Sequence, residues 1–339
     1  MRSRLFLIAA FFAAFPFFAH AEVTFEGDIA FGGSYNSNMA LLSSEDRVTM
    51  DTRKAGLDVF SLDLDAFLTL IPADIFSLEY TLFAAVPPHP AHIPYAFFNH
   101  SLTALFTHEF DEVDISYGVE LGHLLVGFDN RLLDPQALFD LFWYAHESLS
   151  YYLSASFSYA VSLDGEYSYL TAPGFRFENG IYIYPVSGDR SFISVGAGER
   201  MFFFGEDHIL SPVPPDTPEP EVWVQRDLSE TYLRLKGKYI YEGFSAEASV
   251  RYGFMYYLGA DRWRGTPDLP LSPAEYEKTR IDHALRLKAL LEYRFTELFS
   301  LQAYYQYLRN FSNMGEDIAD YENDTFDQHS TGLMFRFVF

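Results

Sequence analysis

The sequence predicts an all-β fold, a transmembrane antiparallel up-and-down β-barrel, and three observations carry that prediction. Segment after segment alternates apolar and polar residues over the roughly 9 to 11 positions that a tilted spanning strand requires. Beyond the N-terminal segment no apolar run approaches the roughly 18 residues of a spanning helix, although 18% of the chain is aromatic, with 35 Phe and 24 Tyr. The connections between alternating segments are by turns long and short, the asymmetry of a barrel with loops at one end and turns at the other.

The chain opens with Met1-Arg2-Ser3-Arg4, then an apolar run from Leu5 to Phe18 and the small-x-small sequence Ala19-His20-Ala21. This is the pattern of a secretory leader, too short to span, and cleavage after Ala21 is expected to leave Glu22 first. The domain organisation is therefore read as a leader over 1–21 and a barrel over 22–339. The chain has no cysteine, which suits an exported protein that does not depend on disulfides. A formal net charge of −24 argues against nucleic acid as a partner.

The alternation marks strands near 23–35, 55–70, 76–86, 98–110, 113–127, 138–151 and 155–170, and then near 175–186, 191–204, 228–241, 244–259, 279–296, 299–311 and 326–339. Within 113–121, Val113, Ile115, Tyr117, Val119 and Leu121 share one face, and Asp114, Ser116, Gly118 and Glu120 the other. Leu285, Leu287, Ala289, Leu291, Tyr293 and Phe295 alternate likewise with Arg286, Lys288, Leu290, Glu292 and Arg294. Long connections fall at 36–54, 87–97, 128–137, 205–227, 260–278 and 312–325, and tight ones at 71–75, 111–112, 152–154, 242–243 and 297–298. The total is fourteen strands. Twelve or sixteen stay open, because alternation slips around Asp140 and Glu147 and Pro185 interrupts a strand.

At the C-terminus Leu333, Phe335, Phe337 and the last residue, Phe339, alternate with Met334, Arg336 and Val338. An amphipathic final strand closing on Phe resembles the assembly signal of bacterial outer-membrane β-barrel proteins. The resemblance implies a bacterial outer-membrane location reached through the periplasm, with the barrel-insertion machinery as a partner during assembly. It implies outer-membrane lipids and lipopolysaccharide-like glycolipids as surroundings, short turns toward the periplasm and long loops outside. Tyr239, Tyr241, Phe244, Phe299 and Phe339 are expected in the periplasmic aromatic belt, and Tyr256, Tyr257, Tyr307 and Phe311 in the outer one.

Function is read from the charges that alternation turns inward. The first five strands supply Glu26, Asp28, Asp63, Asp65, Glu79, Glu109, Asp114 and Glu120 as pore-lining acids. The last five supply Arg234, Lys236, Lys238, Arg251, Arg286, Lys288, Arg294 and Arg336 as pore-lining bases, tempered by Glu247, Asp282 and Glu292. A charged lining is costly dry and comfortable wet, so a water-filled lumen is expected, with an acidic wall facing a basic one. The function that follows is a porin-like channel for passive diffusion of small hydrophilic solutes, with no cofactor.

Two other functions compete. An outer-membrane lipid-modifying enzyme would need a His paired with a nucleophile, and His100-Ser101, His108-Glu109, His146-Glu147-Ser148 and His329-Ser330 bring those types together. Neighbours on a strand face opposite sides, so only His146 and Ser148 can share a face, and no enzyme is expected. A structural or adhesive barrel would act through its loops, of which Glu206–Glu221 is rich in Pro and acids and 315–327 in acids. Neither has the Gly-centred spacing of a calcium loop, and no metal site is expected. Inward aromatics such as Tyr182, Tyr184 and Tyr304 are too scattered in sequence to predict a sugar path.

Overall fold

The computed structural model describes residues 24–37, 58–163, 171–185, 190–203, 208–209, 221–224, 227–264, 275–313 and 326–339. The proposed leader, much of the loop 205–227 and most of 315–327 lie outside them. The strands are β1 (Thr24–Asn36), β2 (Val59–Ala73), β3 (Phe76–Val86), β4 (Phe97–Glu109), β5 (Val113–Val126), β6 (Asp129–His146), β7 (Leu149–Ser162) and β8 (Ala172–Ile183). They continue as β9 (Phe192–Phe202), β10 (His208–Ile209), β11 (Glu221–Val224), β12 (Leu228–Tyr241), β13 (Phe244–Arg264), β14 (Glu275–Arg294), β15 (Phe299–Ser312) and β16 (Phe326–Val338).

Every neighbouring pair is antiparallel, from β1 to β9 and on through β12 to β16. β1 then pairs with β16, from Asp28 opposite Val338 to Asn36 opposite Ser330, so fourteen strands close on themselves. Closure satisfies the ladder at every strand and leaves no edge in lipid. β10 and β11 pair instead on the far end of β13, with Glu221 opposite Arg264, and lie beyond the closed ring.

Each strand shows lipid its apolar face. Phe31, Val119, Leu233 and Phe335 are all more than half exposed, whereas the inward residues Ala30, Ala85, Ala284 and Met334 are buried. An exposed surface of this kind is stable only against hydrocarbon, which identifies the barrel as membrane-spanning. Tyr239, Tyr241, Phe244, Phe299 and Phe339 are exposed at the end that holds both termini, and Tyr256 and Phe311 at the opposite end. Tyr257 is a correction: it shares a face with inward Leu228, and Arg280 lies over its ring at 4.7 Å. Adjacent residues on a strand cannot both face lipid.

Two connections also differ from expectation. Residues 128–137 belong mostly to β6, and β5 and β6 are joined by Gly127 and Phe128 alone, at φ of 62° and 70°. Two successive positive φ values make a type I′ turn, whose twist suits an antiparallel hairpin and whose first position glycine fills without strain. Asp134-Pro135 is tolerated inside β6 because its ladder to β7 skips from Leu133–Val161 to Gln136–Ser158, where no N–H is missed. The tight turn placed at 152–154 lies at 147–148, and Tyr152, Leu153 and Ser154 are inside β7.

Candidate functional site

The candidate site is the inner wall, and register places the charges on it. Asp28 lies opposite Phe67, Ala30 opposite Asp65, Glu79 opposite Thr103, Glu109 opposite Asp114 and Glu120 opposite Gln136. Residues opposite one another share a face, so Glu26, Asp28, Asp63, Asp65, Glu79, Glu109, Asp114 and Glu120 all line the interior. Asp134 and Asp140 join them, opposite inward Gly122 and Ser116. Asp134 escapes the sequence reading because 128–137 reads as a loop, and Asp140 because the alternation slips around it. The only Lys or Arg among the described residues of β1 to β6 is Arg131.

The opposite wall is basic. Arg234, Arg251 and Arg286 occupy one register row across β12, β13 and β14, with Lys236 and Lys238 beside them on β12. Arg294 and Arg336 lie near the terminal end, both opposite Ser300, and Lys288 lies opposite Ser249. Arg176 and Arg200, opposite each other on β8 and β9, add two bases that the sequence reading missed. The period-two pattern of 175–186 and 191–204 could have supplied them.

These bases are held by carboxylates buried among them. Glu178 is 3% exposed and accepts from Tyr152 Oη at 2.9 Å and Tyr232 Oη at 2.5 Å, with Arg234 at 2.5 Å and Arg176 at 3.2 Å. Glu230 is fully buried between Arg200 at 2.6 Å and Arg251 at 2.8 Å. Arg251 also lies over the Tyr232 ring at 3.6 Å. Arg286 stands beside this group with no carboxylate in ion-pair reach among the described residues. Five guanidiniums against two carboxylates leave the patch with a net charge of 5 − 2 = +3.

Glycines let the tyrosines lie flat on the wall. A Cβ on Gly198 would stand 2.4 Å from the Tyr232 ring, and one on Gly180 2.7 Å from that of Tyr152. Tyr304 of β15 crosses Gly332 of β16 in the same way and donates to Asp63 of β2 at 3.0 Å. Near the terminal end Arg336 bridges Asp28 at 2.7 Å and Glu292 at 3.3 Å, and at the opposite end Asp282 holds Arg280 through several contacts of 2.6 to 3.1 Å. Between the walls a cavity of about 650 Å³ is lined by Asp28, Asp65, Lys288, Gln302, Gln306 and Arg336. Such a lining is wetted by water rather than filled by apolar packing.

The His residues considered for catalysis are dispersed. His100 and His123 contact each other at 2.9 Å on the outer face, and His108 and His329 meet Tyr117 and Tyr305 there. His146 and Ser148 do approach, with Nδ1 and Oγ 3.0 Å apart at the 147–148 turn. The same Nδ1 lies 3.2 Å from the Ser148 backbone N–H, so the contact is one that organises the turn.

No protein-family model matches the chain, and no curated protein matches its sequence. Solved structures it resembles include OmpT, an outer membrane protein of Vibrio cholerae, at 10% identity over 94% of this chain and 97% of that one, with a TM-score of 0.43. Others are the outer membrane channel DcaP of Acinetobacter baumannii, at 11% over 95% and 98% with 0.44, and OccAB3 of Acinetobacter baumannii, at 8% over 93% and 99% with 0.46. At that level of likeness the architecture rests on the strand pairing of this chain itself.

Proposed function

We propose that the protein is a bacterial outer-membrane channel through which small hydrophilic solutes diffuse passively. The carrying observation is the division of the inner wall: the acids of β1 to β6 stand across the ring from an arginine-rich patch of net charge +3, and the cavity beside the β1–β16 seam is lined by both signs, Asp28 and Asp65 with Lys288 and Arg336. Opposed rows of fixed charge set up a field across the solute path, orienting dipolar solutes and slowing apolar ones. In this reading residues 1–21 are removed on export, and Leu333, Phe335, Phe337 and Phe339 are read by the insertion machinery. The long loops then stand outside among lipopolysaccharide-like glycolipids.

Single-channel recording of the refolded mature protein under a salt gradient tests this. A stable conductance is expected, and Arg286→Glu with Lys288→Glu should shift the reversal potential toward cations, because the patch loses its one guanidinium without a counter-charge. Unchanged selectivity would overturn the field. Silence from correctly folded protein would overturn the channel and favour a barrel that works through its loops.

A further inference from the structure

The geometry points to a binding subsite in the terminal-end half of the lumen for small solutes that combine a flat aromatic ring with an anionic group. The proposal rests on the channel reading and names a solute class for it.

Phe142, Tyr152, Tyr182 and Phe192 come from four strands, β6 to β9, and register puts all of them on the inner face: Phe142 opposite Tyr152, Ser150 opposite Tyr182, and Phe192 opposite Lys238. Tyr182 is the hub, with ring centroids 5.5 Å from Phe142, 5.2 Å from Tyr152 and 5.0 Å from Phe192. Tyr184 continues the series toward the mouth, stacked on Tyr182 at 6.4 Å. There it lines a cavity of about 760 Å³ together with Tyr144, His146 and Ser150. The aromatics that look scattered in sequence thus form one continuous lane.

Cations border the lane. Lys236 Nζ lies 5.7 Å over the Phe192 ring and is committed to Glu247 at 2.9 Å. Lys238 lies opposite Phe192, and among the described residues no carboxylate is in ion-pair reach of it. An edge of aromatic faces beside an uncommitted ammonium offers stacking and one charge-assisted hydrogen bond within the span of a single small molecule. Neutral sugars would use the faces and leave the ammonium idle. Aliphatic acids would use the ammonium alone. Aryl carboxylates use both.

The probe is benzoate, with acetate and glucose as controls, read two ways on refolded full-length mature protein. Interruption of ion current in a planar bilayer needs an open channel, whereas equilibrium dialysis of labelled benzoate needs only the folded barrel. Benzoate should bind about tenfold more tightly than acetate, the ratio expected of one good aromatic contact. Tyr182→Ala and Lys238→Gln should each weaken benzoate several-fold, and Tyr182→Phe should restore it. Parity of benzoate with acetate or with glucose would overturn the subsite. So would full affinity in folded Lys238→Gln, a change at a half-exposed position that leaves every ion pair named above intact. Binding by dialysis without any conductance would retain the subsite and overturn the channel.

Discussion

Replacing Glu178 by Gln tests how the basic wall is held. The carboxylate divides its work: Oε1 takes Tyr152 at 2.9 Å and Arg234 at 2.5 Å, while Oε2 takes Tyr232 at 2.5 Å and Arg176 at 3.2 Å. An amide keeps one oxygen and turns a donor toward the other pair, so one phenol and one guanidinium each lose an acceptor. Two hydrogen bonds to a charged acceptor at roughly 1.5 kcal/mol each give a loss of about 3 kcal/mol. That agrees with the lower end of roughly 3 to 5 kcal/mol for breaking a buried ion pair. The lower end is apt because Arg176 is 49% exposed and can rehydrate. At the same time the patch goes from 5 − 2 to 5 − 1, that is from +3 to +4, which should raise anion preference. Urea unfolding in micelles reads the first effect and reversal potentials read the second. A stability loss below about 1 kcal/mol together with unaltered selectivity would show that Glu178 neither holds nor tempers the wall.

Two further perturbations address closure. Gly332→Val puts a side chain where the ideal Cβ already stands 2.4 Å from the Tyr304 ring, so it should cost about 1 to 3 kcal/mol of overpacking, more than Tyr304→Phe, which removes only the bond to Asp63 at about 1 kcal/mol. Equal denaturation midpoints for the two variants would refute the interlock. Deleting Phe339 removes a reciprocal pair of backbone hydrogen bonds with Gly27, both 3.0 Å, and a ring contact with Phe25 at 5.7 Å. The folded fraction, judged by heat-modifiable mobility, should fall and stability drop by about 2 kcal/mol. An unchanged yield and midpoint would mean that the terminal residue takes no part in the seam.

What the sequence disclosed follows from the range of each interaction. β3 and β12 begin and end at the residues the alternation marks, because a strand with one face in lipid must alternate without a break. β6 was harder: Asp129-Asn130 and Asp134-Pro135 are strong local turn signals, overruled by pairing with β5 and by a gap in the β7 ladder. The inner wall divides the same way. Inward parity is a local property and was readable strand by strand. Partner choice was not, since Tyr232 and Glu178 lie 54 residues apart and Tyr304 and Asp63 241 apart. Those contacts depend on which glycines leave room for a phenol to lie across the neighbouring strand. For the same reason the aromatic lane is invisible in one dimension, its members coming singly from four strands.

The bond from Tyr304 to Asp63 has a bearing on how the barrel is completed. It starts on β15, passes over β16 and β1, and ends on β2, so it straddles the junction between the last strand and the first. While that junction is open the two residues are at opposite margins of an unrolled sheet, and the contact cannot exist. It acts as a latch that engages only after the ends have met, and reopening the wall sideways would require drawing the latch as well as unzipping the ladder.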